Sequence, residues 1–461
     1  MEYIPRNIDR YLLEWKADDA RKPLLLRGAR QVGKSSAVRH LGKSFRYYAE
    51  INFEKNRSAK EFFKGDINVR DISSKLSKYI DVPIVAGETL LFFDEVQECP
   101  EAIMALRFFK EDYPELHVIA AGSLLEFTLE ELPTYGVGRI RSLFIYPMTF
   151  DEFVVATGNQ SLLDMREKAS FTHPLEAPFH EKLVELFRIY ILVGGMPEAV
   201  SAWVRTHDFH KCHRVHQDII LSYEDDFNKY KKRVNAELLR TAMRGVCHQI
   251  GNVVMYSAIS KDYRSSQVKD ALRMLELAGI IYPVEATSSN GLPLDAEVNE
   301  LRTKYLFLDT GLLLAILQLD GSSSSQIIEM ILTGSPQDLV NKGGIAEMLA
   351  GVEMLRYKEP IQRQKSYFWE KTGKSIAEVD YLIALKSTII PIEVKSGTQG
   401  GMKSLWMLMR DKHLSNAVRI SFENFGTFDY CDSEDEEAVR HVYVIPLYAI
   451  KKLFEPSLTL N

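Results

Sequence analysis

The residue pattern with the clearest chemical meaning is an octet from Gly28 to Ser35, Gly-Ala-Arg-Gln-Val-Gly-Lys-Ser. It satisfies G-x-x-x-x-G-K-[ST] and lies between a short apolar run, Leu24–Leu26, and a helical run that begins at Lys34. Glycines allow backbone N–H groups to close around a phosphate, and a helix start adds a positive dipole there. We expect Lys34 to neutralise phosphate oxygens and the Ser35 hydroxyl to bind Mg²⁺. The pattern therefore predicts a site for ATP and Mg²⁺ formed by Gly28, Ala29, Arg30, Gln31, Val32, Gly33, Lys34, Ser35 and Ser36.

Two adjacent acids, Asp94 and Glu95, follow the apolar run Leu90–Phe93. We expect Asp94 to hold the Mg²⁺ water shell and Glu95 to orient and polarise an attacking water. Alone, the pair would more often be a charged strand end, and the octet alone could be a glycine-rich turn with an incidental lysine. Together they predict ATP hydrolysis rather than phosphate transfer to another substrate, which remains a third alternative.

A serine and two arginines extend this site. Ser123 follows the apolar run Val118–Ala121, where a hydroxyl could sense the γ-phosphate, although a plain turn serine is the alternative. Arg139 precedes another apolar run and could act as an arginine finger on the ATP of a neighbouring chain, which would imply a homo-oligomer. Arg141 is the second choice for this role, and structural salt bridging is the alternative for both arginines.

Composition excludes several classes of protein. The 461 residues carry 57 Lys+Arg and 63 Asp+Glu, a net charge of −6, so no chain-wide basic field attracts nucleic acid or a membrane. The four cysteines are widely spaced and form no C-x-x-C pair, which indicates neither a disulfide framework nor a zinc site. The amino terminus lacks an apolar targeting segment, and the longest apolar runs are too short to span a bilayer. We expect a cytoplasmic protein without a membrane partner.

Apolar runs and helical patterns alternate between Pro23 and about Phe150, which predicts a parallel sheet covered by helices. The predicted strands are Leu24–Leu26, Tyr47–Phe53, Leu90–Phe93, Val118–Ala121 and Leu143–Tyr146. Long amphipathic helices follow Asp151, and a helix that ends at Gly279 before a strand has the pattern of a winged helix-turn-helix. A Ser-rich stretch, 321–325, precedes the last part of the chain, and the acidic run Asp432 to Glu437 reads as a solvated loop.

The motifs together, with the segment Tyr146-Pro147-Met148-Thr149-Phe150 and the turn Gly194-Gly195-Met196-Pro197, resemble prokaryotic AAA+-type P-loop ATPases. The similar family has a helical and winged-helix region and a carboxyl-terminal domain of unassigned role, and the resemblance covers nearly the whole chain. It implies an α/β fold with the sheet order 5-1-4-3-2, a helical lid, a winged helix and a restriction-endonuclease-like α/β domain. We divide the chain accordingly into residues 1–170, 171–338 and 339–461.

The last third of the chain holds a second set of candidate residues. Strand alternation places Glu393 and Lys395 on one face of a strand, and Asp380 lies in a preceding strand. This set is similar to the D…E-x-K pattern of restriction-endonuclease-like folds, with Glu347 matching an acidic helix residue of their junction-resolving members. The resemblance implies a nuclease site that binds Mg²⁺ or Mn²⁺ through Glu347, Asp380 and Glu393, with Lys395 activating water or stabilising the phosphate. Without the resemblance, alternating charges at a strand end more often form a solvated face.

Two functions remain open from the sequence. The first is an ATPase that drives a conformational change linked to the handling of DNA or RNA through the nuclease-like domain. Basic residues of the predicted winged helix could then contact phosphates: Lys261, Arg264, Lys269 and Arg273. The alternative is an ATP-dependent regulatory switch that binds proteins and carries a catalytically silent nuclease-like domain.

Overall fold

The computed structural model describes residues 3–123, 125–132, 138–230, 234–317, 342–373, 376–395, 401–432, 435–455 and 458. The Ser-rich stretch 321–325 and the predicted boundary at 338/339 lie outside these residues, as do 433 and 434 of the acidic run. The chain divides into two compact units. The amino-terminal unit covers Met1–Met148, Leu277–Gly279 and Glu359–Arg363, and the carboxyl-terminal unit covers Thr149–Glu276, Ile280–Lys358 and Gln364–Asn461. The division into three domains stays a prediction.

The amino-terminal unit alternates strands with helices, as the spacing of apolar runs predicts. Its strands are β1 (Leu24–Arg27), β2 (Tyr47–Asn52), β3 (Thr89–Asp94), β4 (His117–Ala121) and β5 (Arg141–Phe144). Its α-helices are α1 (Asn7–Ala17), α2 (Lys34–Gly42), α3 (Val69–Ile80), α4 (Pro100–Asp112) and α5 (Leu125–Glu131), with 3-10 helices at Arg57–Phe63 and Val96–Glu98.

The five strands form one parallel sheet in the order β2-β3-β4-β1-β5. This is the order 5-1-4-3-2 that the resemblance implies. The strands β3 and β4 are buried over their whole length, and Phe93, Phe53 and Phe109 pack in the core on one side of the sheet. Because all five strands are parallel, their carboxyl ends lie at one edge, which brings the residues after β1, β3 and β4 together.

The fifth strand is shifted from its predicted position. It covers Arg141–Phe144 rather than Leu143–Tyr146, with Leu143 opposite Leu26 of β1. Ile145 still donates its N–H to the Arg27 carbonyl at 2.8 Å, but Pro147 has no N–H with which the ladder could continue. The apolar run therefore extends past the strand end.

The carboxyl-terminal unit begins with helices, as the amphipathic pattern predicts. They are α6 (Phe150–Ala156), α7 (Gln160–Lys168), α8 (Ala177–Val193), α9 (Pro197–Thr206), α10 (Phe209–Asp226), α11 (Ala236–His248), α12 (Tyr256–Ile259), α13 (Ser265–Leu277, whose last residue belongs to the amino-terminal unit) and α14 (Thr310–Ile316). The helices α15 (Lys342–Tyr357) and α16 (Lys403–Asp411) follow, and 3-10 helices lie at Phe227–Tyr230, Leu294–Glu297 and Leu447–Phe454. None of the described helices in either unit has the length and apolar character needed to cross a membrane.

The strands of this unit form a single sheet of eight. They are β6 (Ile281–Thr287), β7 (Val298–Phe307), β8 (Ser366–Lys371), β9 (Ala377–Leu385), β10 (Thr388–Val394), β11 (Asn416–Ser421), β12 (Gly426–Asp432) and β13 (Asp435–Pro446). Their order is β12-β13-β11-β10-β9-β8-β6-β7. The hairpin β6-β7 follows α13, where the sequence predicts the wing of a winged helix, and β6 also pairs in parallel with β8. Strands from both sides of residue 338 therefore share one sheet.

Candidate functional site

The backbone from Gly28 to Ser35 forms a tight turn between β1 and α2. Gly28 has a φ of 138°, and a Cβ atom there would collide with the backbone carbonyl of Ile145, so only glycine fits. Gly33 has a φ of 96° and directly precedes Lys34, the first residue of α2. The free N–H groups of the first helical turn point out of the helix start, where an anion is bound most favourably.

Lys34 is buried, and its ammonium group is held by backbone oxygens of the same turn. Its Nζ atom donates to the carbonyl of Gly28 at 2.8 Å and to that of Ala29 at 2.6 Å. Burial lowers the pKa of Lys34 to about 8, although the charges of Glu95 and Asp94 oppose this shift. A phosphate group would provide the counter-charge that the two carbonyls do not.

Asp94 ends β3 next to the Ser35 hydroxyl. The Ser35 Oγ atom donates to Asp94 Oδ1 at 2.8 Å, and the Asn52 side-chain amide donates to Oδ2 at 3.0 Å. Burial raises the pKa of Asp94, and its two hydrogen-bond donors oppose this shift. A hydroxyl and a carboxylate at this separation suit Mg²⁺, which keeps several waters and takes its other oxygen ligands from phosphates. Ser35 and Asp94 would therefore hold the ion.

Glu95 has the left-handed backbone conformation, with a φ of 49°. Its Oε2 atom accepts a hydrogen bond from the Gln97 amide at 2.8 Å and another from the Ser123 hydroxyl at 3.2 Å. Such a conformation is costly for a residue with a side chain and persists where the surroundings fix it. The side chains of Gln97 and Ser123 thus hold the carboxylate in one position, and Ser123 lies beside Glu95 at the sheet edge as the sequence predicts.

The two candidate arginine fingers are both paired with acids of their own unit. Arg139 forms an ion pair with Glu111, and Arg141 lies 3.5 Å from the Asp18 carboxylate. Both arginines are more than a third exposed, so these pairs contribute little to stability and can exchange for another anion. The finger role stays a prediction for Arg139 and Arg141.

In the carboxyl-terminal unit, the candidate residues of β9 and β10 lie close together. The strands are antiparallel neighbours, and Asp380 Oδ2 accepts a hydrogen bond from the Val394 N–H at 2.7 Å. Lys395 Nζ donates to Glu393 Oε1 at 2.6 Å, so the alternation of the strand places both on one face. The other Glu393 oxygen, Oε2, is buried and has no hydrogen-bond partner among the residues that the structure describes.

Glu347, on α15, is paired with a lysine that the sequence did not single out. Lys304 of β7 is 2% exposed, and its Nζ atom lies 2.8 Å from Glu347 Oε1 and 2.5 Å from Glu378 Oε1. Burial lowers the pKa of Lys304, but the charges of Glu347 and Glu378 outweigh it and raise the pKa above its usual value. Lys304 is thus a buried, charged group that two carboxylates neutralise. We call Lys304, Glu347, Glu378, Asp380, Glu393 and Lys395 the carboxylate cluster.

Burial and mutual repulsion raise the pKa values of three carboxyl groups in the carboxylate cluster. Burial followed by the charge of Asp380 raises the pKa values of Glu347 and Glu393, and the charges of Lys304 and Lys395 respectively oppose these shifts. The pKa of Asp380 is raised by burial. Across the part of the chain that the structure describes, no three His, Cys, Asp or Glu side chains are arranged to hold a metal ion. The predicted second Mg²⁺ or Mn²⁺ therefore does not fit the carboxylate cluster as it stands.

The basic residues of the predicted winged helix are all exposed: Lys261, Arg264, Lys269 and Arg273. Lys269 and Arg273 are four residues apart on α13, which places them on one face. Asp270 is exposed beside them and reduces the local positive charge. Winged-helix identity and nucleic-acid contact stay predictions.

Comparison with protein families matches three segments of the chain to family models. Residues 20–154 match the family model described as an AAA domain, which spans the turn at Gly28–Ser35, Asp94, Glu95 and Ser123. This segment is an AAA-type P-loop ATPase domain. Residues 184–323 match a domain of unknown function (DUF8612), and residues 342–450 match another (DUF4143). No curated protein matches the chain.

Solved structures similar to the chain include another ATPase. The Walker-type ATPase paby2304 of Pyrococcus abyssi is 17% identical with a TM-score of 0.43, and the alignment covers 68% of this chain and 96% of that one. Drosophila ORC bound to DNA is 14% identical with a TM-score of 0.23, and the alignment covers 68% and 85% of the two chains. Both TM-scores are low, and these structures add nothing to the AAA-domain match.

Asn52, Glu378 and Lys304 are among the site side chains that were missed from the sequence, although Asn52 and Glu378 carried a clear signal. Asn52 ends β2, beside β3, so the rule that polar residues at strand ends meet at one edge of the sheet applies to it. Glu378 is two residues before Asp380 in the same strand and therefore shares its face. Lys304 gave only a weak signal, a single charge in the apolar end of β7, and no local pattern could name its partners.

Proposed function

We propose that the AAA domain hydrolyses ATP and that the protein works as an ATP-dependent switch whose carboxyl-terminal nuclease-like domain does not cleave nucleic acid. The observation that carries the hydrolytic part is the 2.8 Å hydrogen bond between Ser35 and Asp94, with Glu95 directly after it. Ser35, Asp94 and Glu95 thereby place the phosphate loop, a pair of candidate Mg²⁺ ligands and a candidate base at one edge of the sheet. The silent nuclease-like domain is supported by the pairing of Glu347 with Lys304.

Each side chain of the AAA domain has a defined task in the proposed reaction. Mg²⁺ bound at Ser35 and Asp94 would supply positive charge to the β- and γ-phosphates. Lys34 leaves the carbonyls of Gly28 and Ala29 to neutralise phosphate oxygens. Glu95 accepts a hydrogen bond from the attacking water and orients it towards the γ-phosphorus. Because phosphoryl transfer depends mainly on position and charge, these roles account for the hydrolytic step.

The proposed switch starts at Ser123 and Glu95. These two side chains and Gln97 are linked by hydrogen bonds. The γ-phosphate and the attacking water would compete for the same donors and the same carboxylate, so their arrival changes the bonds at the end of β4. A ligand shifts a conformational equilibrium only through such differential contacts. We propose that the helices at the start of the carboxyl-terminal unit respond to this change and expose a protein-binding surface.

The test of hydrolysis is phosphate release by wild type and Glu95→Gln at saturating ATP. Removal of a general base should lower kcat by about 10²–10⁴-fold while ATP binding persists. Glu98→Gln is the matched control, since Glu98 is a nearby, exposed glutamate paired with Lys60 and lies outside the site. Equal phosphate release by wild type and Glu95→Gln would remove Glu95 from the mechanism. Transfer of phosphate to another molecule without free phosphate would instead indicate a phosphotransferase.

The second candidate function is handling of DNA or RNA with metal-dependent cleavage by Glu347, Asp380, Glu393 and Lys395. It is favoured by the unpartnered Oε2 atom of Glu393, which is available to a further positive ligand. Linear, branched and single-stranded DNA and RNA, incubated with Mg²⁺ or Mn²⁺, should remain intact with both wild type and Lys395→Ala. Cleavage by wild type that is lost in Lys395→Ala would replace the silent domain with a nuclease.

We further propose that Arg139, or failing that Arg141, reaches the ATP of a neighbouring copy in a homo-oligomer. The exposed position of both ion pairs supports this role, because each arginine can exchange its partner at small cost. Specific ATPase activity should then rise with protein concentration and fall in Arg139→Ala. A concentration-independent specific activity in a monomer would exclude an arginine supplied in trans.

A further inference from the structure

We infer that Lys304 is the resident cation of the carboxylate cluster and takes the place that a divalent metal would have in a nuclease site. The inference rests on the proposed silent domain and names the group that makes it silent. It concerns a residue of β7, far in sequence from the D…E-x-K pattern. The cluster would then be a stabilising ion-pair network that joins β7, α15 and β9.

The contacts of Lys304 match those of a cation held by acids. The ammonium group donates one hydrogen bond to a Glu347 oxygen at 2.8 Å and another to a Glu378 oxygen at 2.5 Å. The side chain is 2% exposed, so no bulk water competes for these bonds. A buried ammonium requires such partners, because an unpaired buried charge is strongly unfavourable.

Each of the two remaining ligands of the predicted metal cage has one oxygen that is also engaged. Asp380 Oδ2 accepts the Val394 N–H, and Glu393 Oε1 accepts a hydrogen bond from Lys395. A metal ion would need oxygens from Glu347, Asp380 and Glu393 at about 2.0–2.6 Å. It would also have to lie close to two ammonium groups, which repel it. Lys304 and a divalent ion would therefore compete for the Glu347 carboxylate.

Removal of the Lys304 charge should consequently create a metal site. In Lys304→Met, Glu347 loses its cationic partner, and Asp380 and the unpartnered Glu393 Oε2 lie in the same cluster. The four carboxylates of the cluster then share one remaining ammonium, that of Lys395. Oxygen ligands with an excess of negative charge are the preferred environment of Mg²⁺, Mn²⁺ or Ca²⁺.

The experiment measures binding of Mn²⁺ alone to the full-length protein without nucleotide, by the loss of the free Mn²⁺ electron paramagnetic resonance signal. Five proteins are compared: wild type, Asp380→Asn, Lys304→Met, the double variant Lys304→Met/Asp380→Asn, and Lys365→Met. Subtraction of the Asp380→Asn variants isolates binding at the carboxylate cluster from binding elsewhere. Lys365→Met is the matched control, because it removes one lysine charge from the same unit at an exposed ion pair with Asp295.

We expect wild type and Lys365→Met to show no Mn²⁺ binding that depends on Asp380. Lys304→Met should gain one Mn²⁺ per chain, and the double variant should lose it. Asp380-dependent Mn²⁺ binding by wild type would overturn the inference, as would a folded Lys304→Met that gains none. If Lys304→Met does not fold, the comparison of Mn²⁺ binding by wild type and Asp380→Asn still tests the inference. Lys304→Arg, which keeps the positive charge, should then bind Mn²⁺ no better than wild type. Failure of ATP hydrolysis would leave this result unchanged, since no nucleotide is present.

Discussion

The two units each contain a buried lysine with oxygen partners. The pKa values of these two lysines are shifted in opposite directions. Lys34 donates to the carbonyls of Gly28 and Ala29, and burial lowers its pKa to about 8. Lys304 is also buried, yet its partners are the carboxylates of Glu347 and Glu378, which raise its pKa above the usual value. The difference lies in the partners rather than in the degree of burial.

Neutral and charged partners have different consequences for function. A carbonyl satisfies the hydrogen-bonding capacity of an ammonium group but leaves its charge uncompensated, so a phosphate can easily replace it. A carboxylate compensates the charge, and breaking the pair leaves a buried anion without its partner. Lys34 is therefore poised to bind a ligand, whereas Lys304 is committed to the fold. Lysine-to-methionine substitutions at the two positions test this contrast directly.

The largest expected effect is the loss of ATP binding in Lys34→Met. The phosphate would lose its positive partner, while the helix start and the Gly28–Ser35 backbone remain. Equilibrium binding of a fluorescent ATP analogue should be undetectable at concentrations that saturate wild type, and phosphate release should cease.

Lys43→Met provides the control for Lys34→Met, because Lys43 is an exposed lysine at the end of the same helix. It should bind the analogue as wild type does. Retained affinity in Lys34→Met would mean that the backbone alone holds the phosphates, and the contrast between the two lysines would fail.

The second largest expected effect is on folding stability. Here the substitution of Lys304 should be the damaging one, and that of Lys34 should have little effect. Lys304→Met should lower the free energy of unfolding of the carboxyl-terminal unit by about 3–5 kcal/mol, because it leaves Glu347 buried without a counter-charge. Lys34→Met should change stability by less than about 1 kcal/mol or increase it, since it removes a charge that burial disfavours. Urea unfolding of both variants, followed by circular dichroism without nucleotide, measures the two changes. Equal destabilisation by both would show that partner type does not decide the role.

The smallest expected effect is a pH dependence of ATP binding. Bound phosphate should raise the pKa of Lys34 above about 8, so affinity for ATP is greatest below pH 8 and falls as pH rises through that value. The fall should approach about tenfold per pH unit between pH 8 and the pKa of the complex. Titration calorimetry at pH 8.5 in buffers of different ionisation enthalpy should detect proton uptake on binding. Proton release, or a constant affinity up to pH 9.5, would contradict the assignment.

The elements of the chain were largely predictable, because apolar periodicity is a local property. The predicted strand Tyr47–Phe53 is observed as Tyr47–Asn52, and the predicted strand Val118–Ala121 as His117–Ala121. The exceptions involve pairing. The run Leu143–Tyr146 is apolar throughout, but the strand there is set by its register with β1 and by Pro147.

The candidate sites were predictable to different extents for a related reason. The candidate site residues of the AAA domain come from one octet and from the ends of two strands. The parallel sheet brings such strand ends to one edge. The carboxylate cluster includes Lys304 of β7, which is 43 residues from Glu347 and 74 residues from Glu378 in sequence. Nothing in the local sequence around Lys304 indicates that its Nζ atom lies 2.5 Å from a Glu378 oxygen.

The sequence by itself determined the phosphate loop, because residue type and backbone freedom at Gly28 and Gly33 are sufficient to make one. It also determined the order of strands and helices. Only the tertiary structure decided which charges meet: that Glu95 is held by Gln97 and Ser123, and that Glu347 faces Lys304. Electrostatic partners depend on distances across the fold, and these distances are not written in any local pattern.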